Sequence, residues 1–144
     1  MIQKLFVYGT LMEDFYNYDK YLKDQVITLE KATFKGKLYH MPKKGYPALL
    51  PGNDDILGEI ITIKNWDENL NLMDKMEHFF GENDSSNEYN RKVIEVKISK
   101  DNEIITEKAY SYLYNLSEKD KENFKDEFIY IPSGNWRDYM ENKK

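Results

Sequence analysis

A chain of 144 residues is long enough to bury ~68% of the surface its unfolded form exposes, and it fits one domain, expected to run over 1–144 without a linker. Its net charge of -5, with no Lys/Arg block longer than Lys43-Lys44, excludes the positive surface that a nucleic-acid backbone requires. Cysteine is absent, which excludes disulfides, thiolate ligands and a cysteine nucleophile. Apolar runs are too short for a membrane span or a signal peptide, so the expectation is a cytoplasmic protein with no membrane partner.

Residues 2–8 mix β-branched and aromatic side chains and stop at Gly9, as a buried strand closing in a turn does. Gly9 lets the backbone turn sharply or pass close to a neighbour, so that successive N–H groups can converge as an anion nest. An ordinary strand-ending turn reads the same way. A short helix over 14–22 has weak support. Residues 26–41 read as one or two strands, with Phe34, Gly36, Leu38 and His40 on one side. A loop is expected over 42–52, carrying Tyr46 and Pro47. The next strand, 56–63, is interrupted by Gly58, which marks a bulge or a close backbone approach.

Asn65 opens a helix, with Glu68 placed three residues on to complete a capping box. At about 100° per residue, Trp66, Leu70, Met73 and Phe80 fall within roughly 60° of Glu77, and Asp67, Glu68, Asn71, Lys75 and His78 crowd the opposite sector. Leu72, Met76 and Phe79 widen the apolar sector, so Glu77 stands at its margin, where a cleft can form. By pattern alone such an acid is either a snorkelling or paired surface group or a base with restricted hydration, and Asp74 and Glu82 are the alternative acids.

A polar loop over 81–88 leads to strands near 91–99 and 104–115, joined by a hairpin at Lys100-Asp101-Asn102-Glu103. Tyr110, Tyr112 and Tyr114 share a face, a pattern that serves sheet packing as readily as ligand contact. The tail from 117 is charged, with one possible helical turn. His40 and His78 lack metal-ligand spacing, no Gly-x-Ser-x-Gly elbow is present, and no glycine-rich phosphate loop occurs. Neither metal nor cofactor is expected.

The Tyr8-Gly9-Thr10-Leu11 opening is followed in order by Gly45-Tyr46-Pro47-Ala48-Leu49, Gly58-Glu59, Asp74-Lys75-Met76-Glu77, Tyr89-Asn90-Arg91, the alternating tyrosines and Ser133-Gly134-Asn135-Trp136. Over nearly its whole length the chain therefore resembles the gamma-glutamylcyclotransferase-like superfamily, in its small bacterial branch. The resemblance implies an α+β fold: a small mixed α/β structure with a curved, barrel-like sheet and one main helix beside the cleft. It implies cofactor-independent release of an amine and 5-oxoproline from a small gamma-glutamyl amide, by attack of the substrate's own alpha-amino group.

By the same resemblance Glu77, three residues after Asp74, is the general acid/base, and Tyr8, Gly9, Thr10 and Leu11 form the substrate loop. Tyr46 and Pro47 would wall the pocket, and Tyr112 and Tyr114 stand where the family has site tyrosines. Arg91 matches the family as well, although a structural ion pair accounts for it equally. This chain departs from the pattern at His78, where relatives often have Gly, and in its long 81–88 loop. The expected state is a monomer or homodimer. The alternative is a catalytically silent module that binds a small carboxylate on the same fold. The acid at position 77 favours the enzyme, since several small bacterial relatives lack it.

Overall fold

Two long antiparallel strands, β2 (Val26–Met41) and β3 (Tyr46–Ile63), form the frame of the computed structural model, which describes residues 2–142. The short β1 (Lys4–Val7) lies between β3 and β5 (Glu103–Tyr114), antiparallel to the first and parallel to the second. With β4 (Tyr89–Lys100) and β6 (Ile129–Ile131) the order is β3-β1-β5-β4-β2-β6, and the β2–β3 pairing closes the sheet on itself. This is the expected curved, barrel-like α+β arrangement. Leu5, Phe6, Leu38, Ile56, Ile61 and Val96 are all fully or almost fully buried in one core cluster; Leu5 and Ile61 lie on the face of their strands that carries Tyr110, and Phe6 lies on the other. The described residues also contain a π-helical turn at Tyr18–Leu22 and four α-helices: α1 (Trp66–Met76), α2 (Glu118–Glu122), α3 (Phe124–Glu127) and α4 (Trp136–Asn142).

The hairpin turn adopts left-handed φ at both Asp101 (52°) and Asn102 (65°), the conformation that matches the twist of two paired strands. Gly58 is a close approach: a Cβ there would lie 2.4 Å from the Val7 carbonyl oxygen and 2.7 Å from the Phe6 ring. Its missing side chain lets β1 sit against β3.

Four sequence expectations need correction. Residues 46–52 are not a loop, because β3 starts at Tyr46 and pairs with β2 from Met41↔Tyr46 onward. Pro47 is tolerated because β1 reaches only residues 59–62 of β3, leaving the Pro47 stretch with a partner on one side. Pro51, Gly52 and Asn53 are accommodated where the register jumps from Gly36↔Asp54 to Lys37↔Leu50.

The capping box at Asn65 does not form. Asn65 is left-handed (φ 51°, ψ 53°) and its side chain makes no cap bond, whereas capping requires an extended backbone there. Its carboxamide instead faces Gln25 Oε1 at 3.5 Å. A capping box does form at Ser117 and Asp120, which bond reciprocally at 3.0 and 3.1 Å ahead of α2.

The helix also ends sooner than the apolar phase implies. Phe80 lies beyond it and is 63% exposed, and Leu72 is 47% exposed, so the buried stripe is Trp66, Asn69 and Met73. Finally, the tail is more ordered than one helical turn. It contributes α2, α3, β6 and α4, pinned by the Leu57 N–H to Gly134 C=O bond (2.8 Å) and by buried Trp136.

The tyrosine face of β5 carries α1. Trp66 packs on Tyr110 with ring centroids 6.0 Å apart, and the Tyr112 hydroxyl donates to Asp74 Oδ1 at 2.6 Å. Arg91, directly across from Tyr112, pairs with Asp74 and lies over the rings of Phe79 and Tyr110 at 5.1 and 5.3 Å. These contacts fix where α1 ends.

Candidate active site

The C-terminus of α1 is a Schellman motif. Phe79 N–H bonds Asp74 C=O (2.8 Å), His78 N–H bonds Lys75 C=O (3.2 Å), and His78 is left-handed at φ 52°. That position usually takes glycine, because a Cβ costs about 1 kcal/mol in this conformation. His78 is held there by Glu88, whose Oε1 is 3.1 Å from Nδ1. We therefore expect His78→Gly to fold and to gain about 1 kcal/mol in urea unfolding. A lower midpoint would mean that the Glu88 contact outweighs the strain.

Glu77, the residue at the helix cap, faces a cavity of about 240 Å³. One wall is the turn after β1, with Tyr8, Gly9, Thr10 and Leu11; Tyr46 and Pro47 at the start of β3 adjoin it. Tyr112 and Tyr89 line it from the sheet, and Tyr16, Asn17, Met76, His78 and Glu88 complete it. The structure thus brings together every candidate site residue except Tyr114. That ring is packed edge-on against Tyr89 and Phe128, with its hydroxyl bonded to Asp120 (3.0 Å) and near Lys44 (3.3 Å). Its cross-strand partner Tyr89 lines the cavity in its place.

Gly9 owes its identity to proximity and not to a left-handed backbone. A Cβ there would lie 2.5 Å from Pro47 Cγ and 2.9 Å from Cδ. The turn is closed by Met12 N–H to Gly9 C=O and Tyr18 N–H to Thr10 C=O, both 3.0 Å, and Asn17 Nδ2 donates to Thr10 Oγ1 at 2.8 Å. These bonds use the acceptors of Gly9 and Thr10, not their N–H donors.

Two carboxylates share the cavity, and their environments push them apart. Burial, and secondarily the charge of Glu88, raises the Glu77 pKa from 4.5 to about 8. Burial alone would raise Glu88 too. Hydrogen bonds from Lys44 (2.7 Å) and Tyr46, the Lys44 charge and the His78 contact prevail, and Glu88 falls below its ordinary value. One acid is thus an anion throughout the neutral range, and the other is poised to exchange a proton near neutrality. The phenols stay protonated: burial raises the pKa of Tyr8, Tyr89, Tyr112 and Tyr46. Tyr8 donates to the Tyr112 carbonyl and Tyr89 to that of Pro47, which ties the β1 turn and the β3 start to the sheet.

The alternative acids are placed elsewhere. Asp74 is held by Arg91 and Tyr112, and Glu82 sits in the 81–88 loop away from this cavity. Glu59, 2% exposed, accepts from the Glu13 N–H (2.9 Å) and pairs with Arg137 (3.3 Å) on another side of the barrel. Among the described residues no three His, Asp or Glu side chains gather as a metal set, and no helix is long and apolar enough to cross a membrane. Glu88 was not legible as a site residue. It belongs to a polar loop, and its partners Lys44, Tyr46 and His78 are scattered in sequence.

The family model described as "Gamma-glutamyl cyclotransferase, AIG2-like" matches residues 5–138. Gamma-L-glutamyl-butirosin B gamma-glutamyl cyclotransferase of Niallia circulans is 31% identical over 135 residues, covering 94% of this chain and 76% of that protein. Among solved structures, YkqA of Bacillus subtilis superposes with a TM-score of 0.62 at 24% identity. All of this chain is covered but only 44% of YkqA, so the chain spans less than half of that protein. An AIG2-like protein of Mus musculus gives a TM-score of 0.61 at 18% identity, over 82% of this chain and 81% of the other. The two structural likenesses speak for the fold.

Proposed function

The chain belongs to the gamma-glutamyl cyclotransferase, AIG2-like family, and from that premise we propose that it releases an amine and 5-oxoproline from a small gamma-glutamyl amide, with Glu77 as general acid/base. The observation that carries this reading is a desolvated carboxylate with a pKa near 8 in the same cavity as the turn of residues 8–11. In the reaction the substrate's alpha-ammonium gives a proton to Glu77, and the freed amine attacks the gamma-carbonyl carbon. A new C–N bond closes the five-membered ring, and the bond to the leaving nitrogen breaks. Two protons pass from the attacking nitrogen to the departing amine, with Glu77 as shuttle, so no protein nucleophile is needed.

The protein supplies geometry and proton affinity. N–H groups of Gly9, Thr10 and Leu11 would anchor the alpha-carboxylate, while Tyr8, Tyr46, Pro47 and Tyr112 shape a cavity that folds the glutamyl chain back on itself. Holding amine and carbonyl in near-attack geometry is the entropic part of the acceleration. Tyr114 would support Tyr89 through their ring contact and not touch substrate.

The test is a screen of gamma-glutamyl amides for 5-oxoproline release by the purified protein. Turnover of at least one supports the reading; none, with ligand still bound, would favour a carboxylate-binding module. The pH dependence gives a second check. A base must be ionised, so the kcat/KM profile is expected to rise with pH and reach half its plateau near the Glu77 pKa of about 8. Activity should also survive exhaustive chelation. Loss that zinc or magnesium restores would refute the metal-free mechanism.

A further inference from the structure

The residues lining the cavity include Glu77, Glu88 and His78 but, among the described residues, no lysine or arginine. One carboxylate of a substrate can be met by backbone N–H groups of the turn after β1. A second, on the leaving group, would find no cation facing it and two acids close by. An ammonium on the leaving group meets the opposite situation.

Glu88 is the acid built to receive it. Its Oε2 is engaged by Lys44 (2.7 Å) and by the Tyr46 hydroxyl, whereas Oε1 is met by His78 Nδ1 at 3.1 Å. A carboxylate oxygen has two lone pairs, so Oε1 retains capacity for a further donor, and the His78 side chain, 62% exposed, is a displaceable partner. Lys44 and Tyr46 hold the carboxylate rigid and ionised without covering that oxygen.

We propose that Glu88 is a specificity-determining residue, selecting gamma-glutamyl amides whose leaving amine carries a second positive charge over neutral ones and over those that carry a carboxylate. The proposal rests on the cyclotransferase reading above and names the substrate class for the same site. Charge-assisted hydrogen bonding to a desolvated, pre-positioned acid is the source of the preference. Lys44 keeps that acid ionised against burial.

The test compares three amides of similar size, the mono-gamma-glutamyl amides of diaminobutane, n-pentylamine and aminobutanoate. They end in an ammonium, a methyl group and a carboxylate. The wild type is expected to prefer the first over the second by about tenfold in kcat/KM, with the third weakest. Glu88→Gln should bring the ammonium-to-methyl ratio close to one. Lys44→Gln, which removes a group that keeps Glu88 fixed and ionised against burial, should also lower that ratio. A merely structural cluster would lower turnover of all three amides alike in both variants.

Affinities of the same amides for Glu77→Gln, measured calorimetrically, separate this proposal from its premise. If no amide is turned over, the cyclotransferase reading fails, but an ammonium-first order that Glu88→Gln abolishes in the Glu77→Gln background still supports selection by Glu88. Equal affinities, absence of binding, or an order unchanged by Glu88→Gln would overturn the proposal.

Discussion

Glu77→Gln is expected to keep the fold and to lower turnover by about 10²-fold or more. Glutamine has the volume of glutamate but cannot accept the alpha-ammonium proton, and no neighbouring acid can replace it. Asp74 is held by Arg91 and Tyr112, and Glu88 has a depressed pKa. Steady-state kinetics with the best amide would decide the matter, and near-normal kcat would remove Glu77 from the mechanism.

The same substitution carries a stability signature. The Glu77 pKa is about 8 in the folded chain against an ordinary value of 4.5, so between these limits the folded state binds the extra proton. Stability from this group is therefore present below about pH 4.5 and is lost as pH rises towards 8. Relative to wild type, Glu77→Gln should gain stability with rising pH, and urea unfolding at acid and alkaline pH measures the difference. A site that keeps a costly charge where an amide would be more stable has a reason to keep it, and proton transfer supplies one.

The turn after β1 and Glu77 were legible in the sequence for different reasons. The β1 strand, its Gly9 turn and the 100–103 hairpin follow from local rules that the structure obeys. Glu77 followed from a helical phase, even though the helix stops at Met76 and Phe80 falls outside it. The β3 start was hidden because Tyr46-Pro47-Ala48 carries turn-like residues, and only the one-sided pairing with β2 makes a strand of them. Asn65 misled because capping and left-handed geometry draw on the same residue type. Glu88 was illegible because its role depends on Lys44, Tyr46 and His78, brought together by tertiary structure alone. Tyr114 shares the face of Tyr112, but its cross-strand partner Tyr89 lines the cavity in its place, which period-two alternation cannot express.

Gly9→Val is expected to reduce kcat/KM by about 10²-fold and to weaken 5-oxoproline binding while the circular dichroism spectrum persists. The Cβ would lie 2.5 Å from Pro47 Cγ, so either the turn or the β3 start must shift. Either shift is harmful. Moving the turn misaims its N–H groups together, and moving Pro47 disturbs the carbonyl that receives the Tyr89 hydroxyl as well as the adjoining Tyr46, which fixes Glu88. Thr10→Ala should be milder, because it removes only the Asn17 to Oγ1 bond, worth about 1 kcal/mol of stability, and leaves the backbone donors in place. Calorimetric titration of both variants with 5-oxoproline discriminates between backbone and hydroxyl anchoring. If Thr10→Ala proved as damaging as Gly9→Val, the hydroxyl would be the anchor. If neither mattered, the carboxylate would bind elsewhere, and Glu77 would lose the substrate pose that makes it a base.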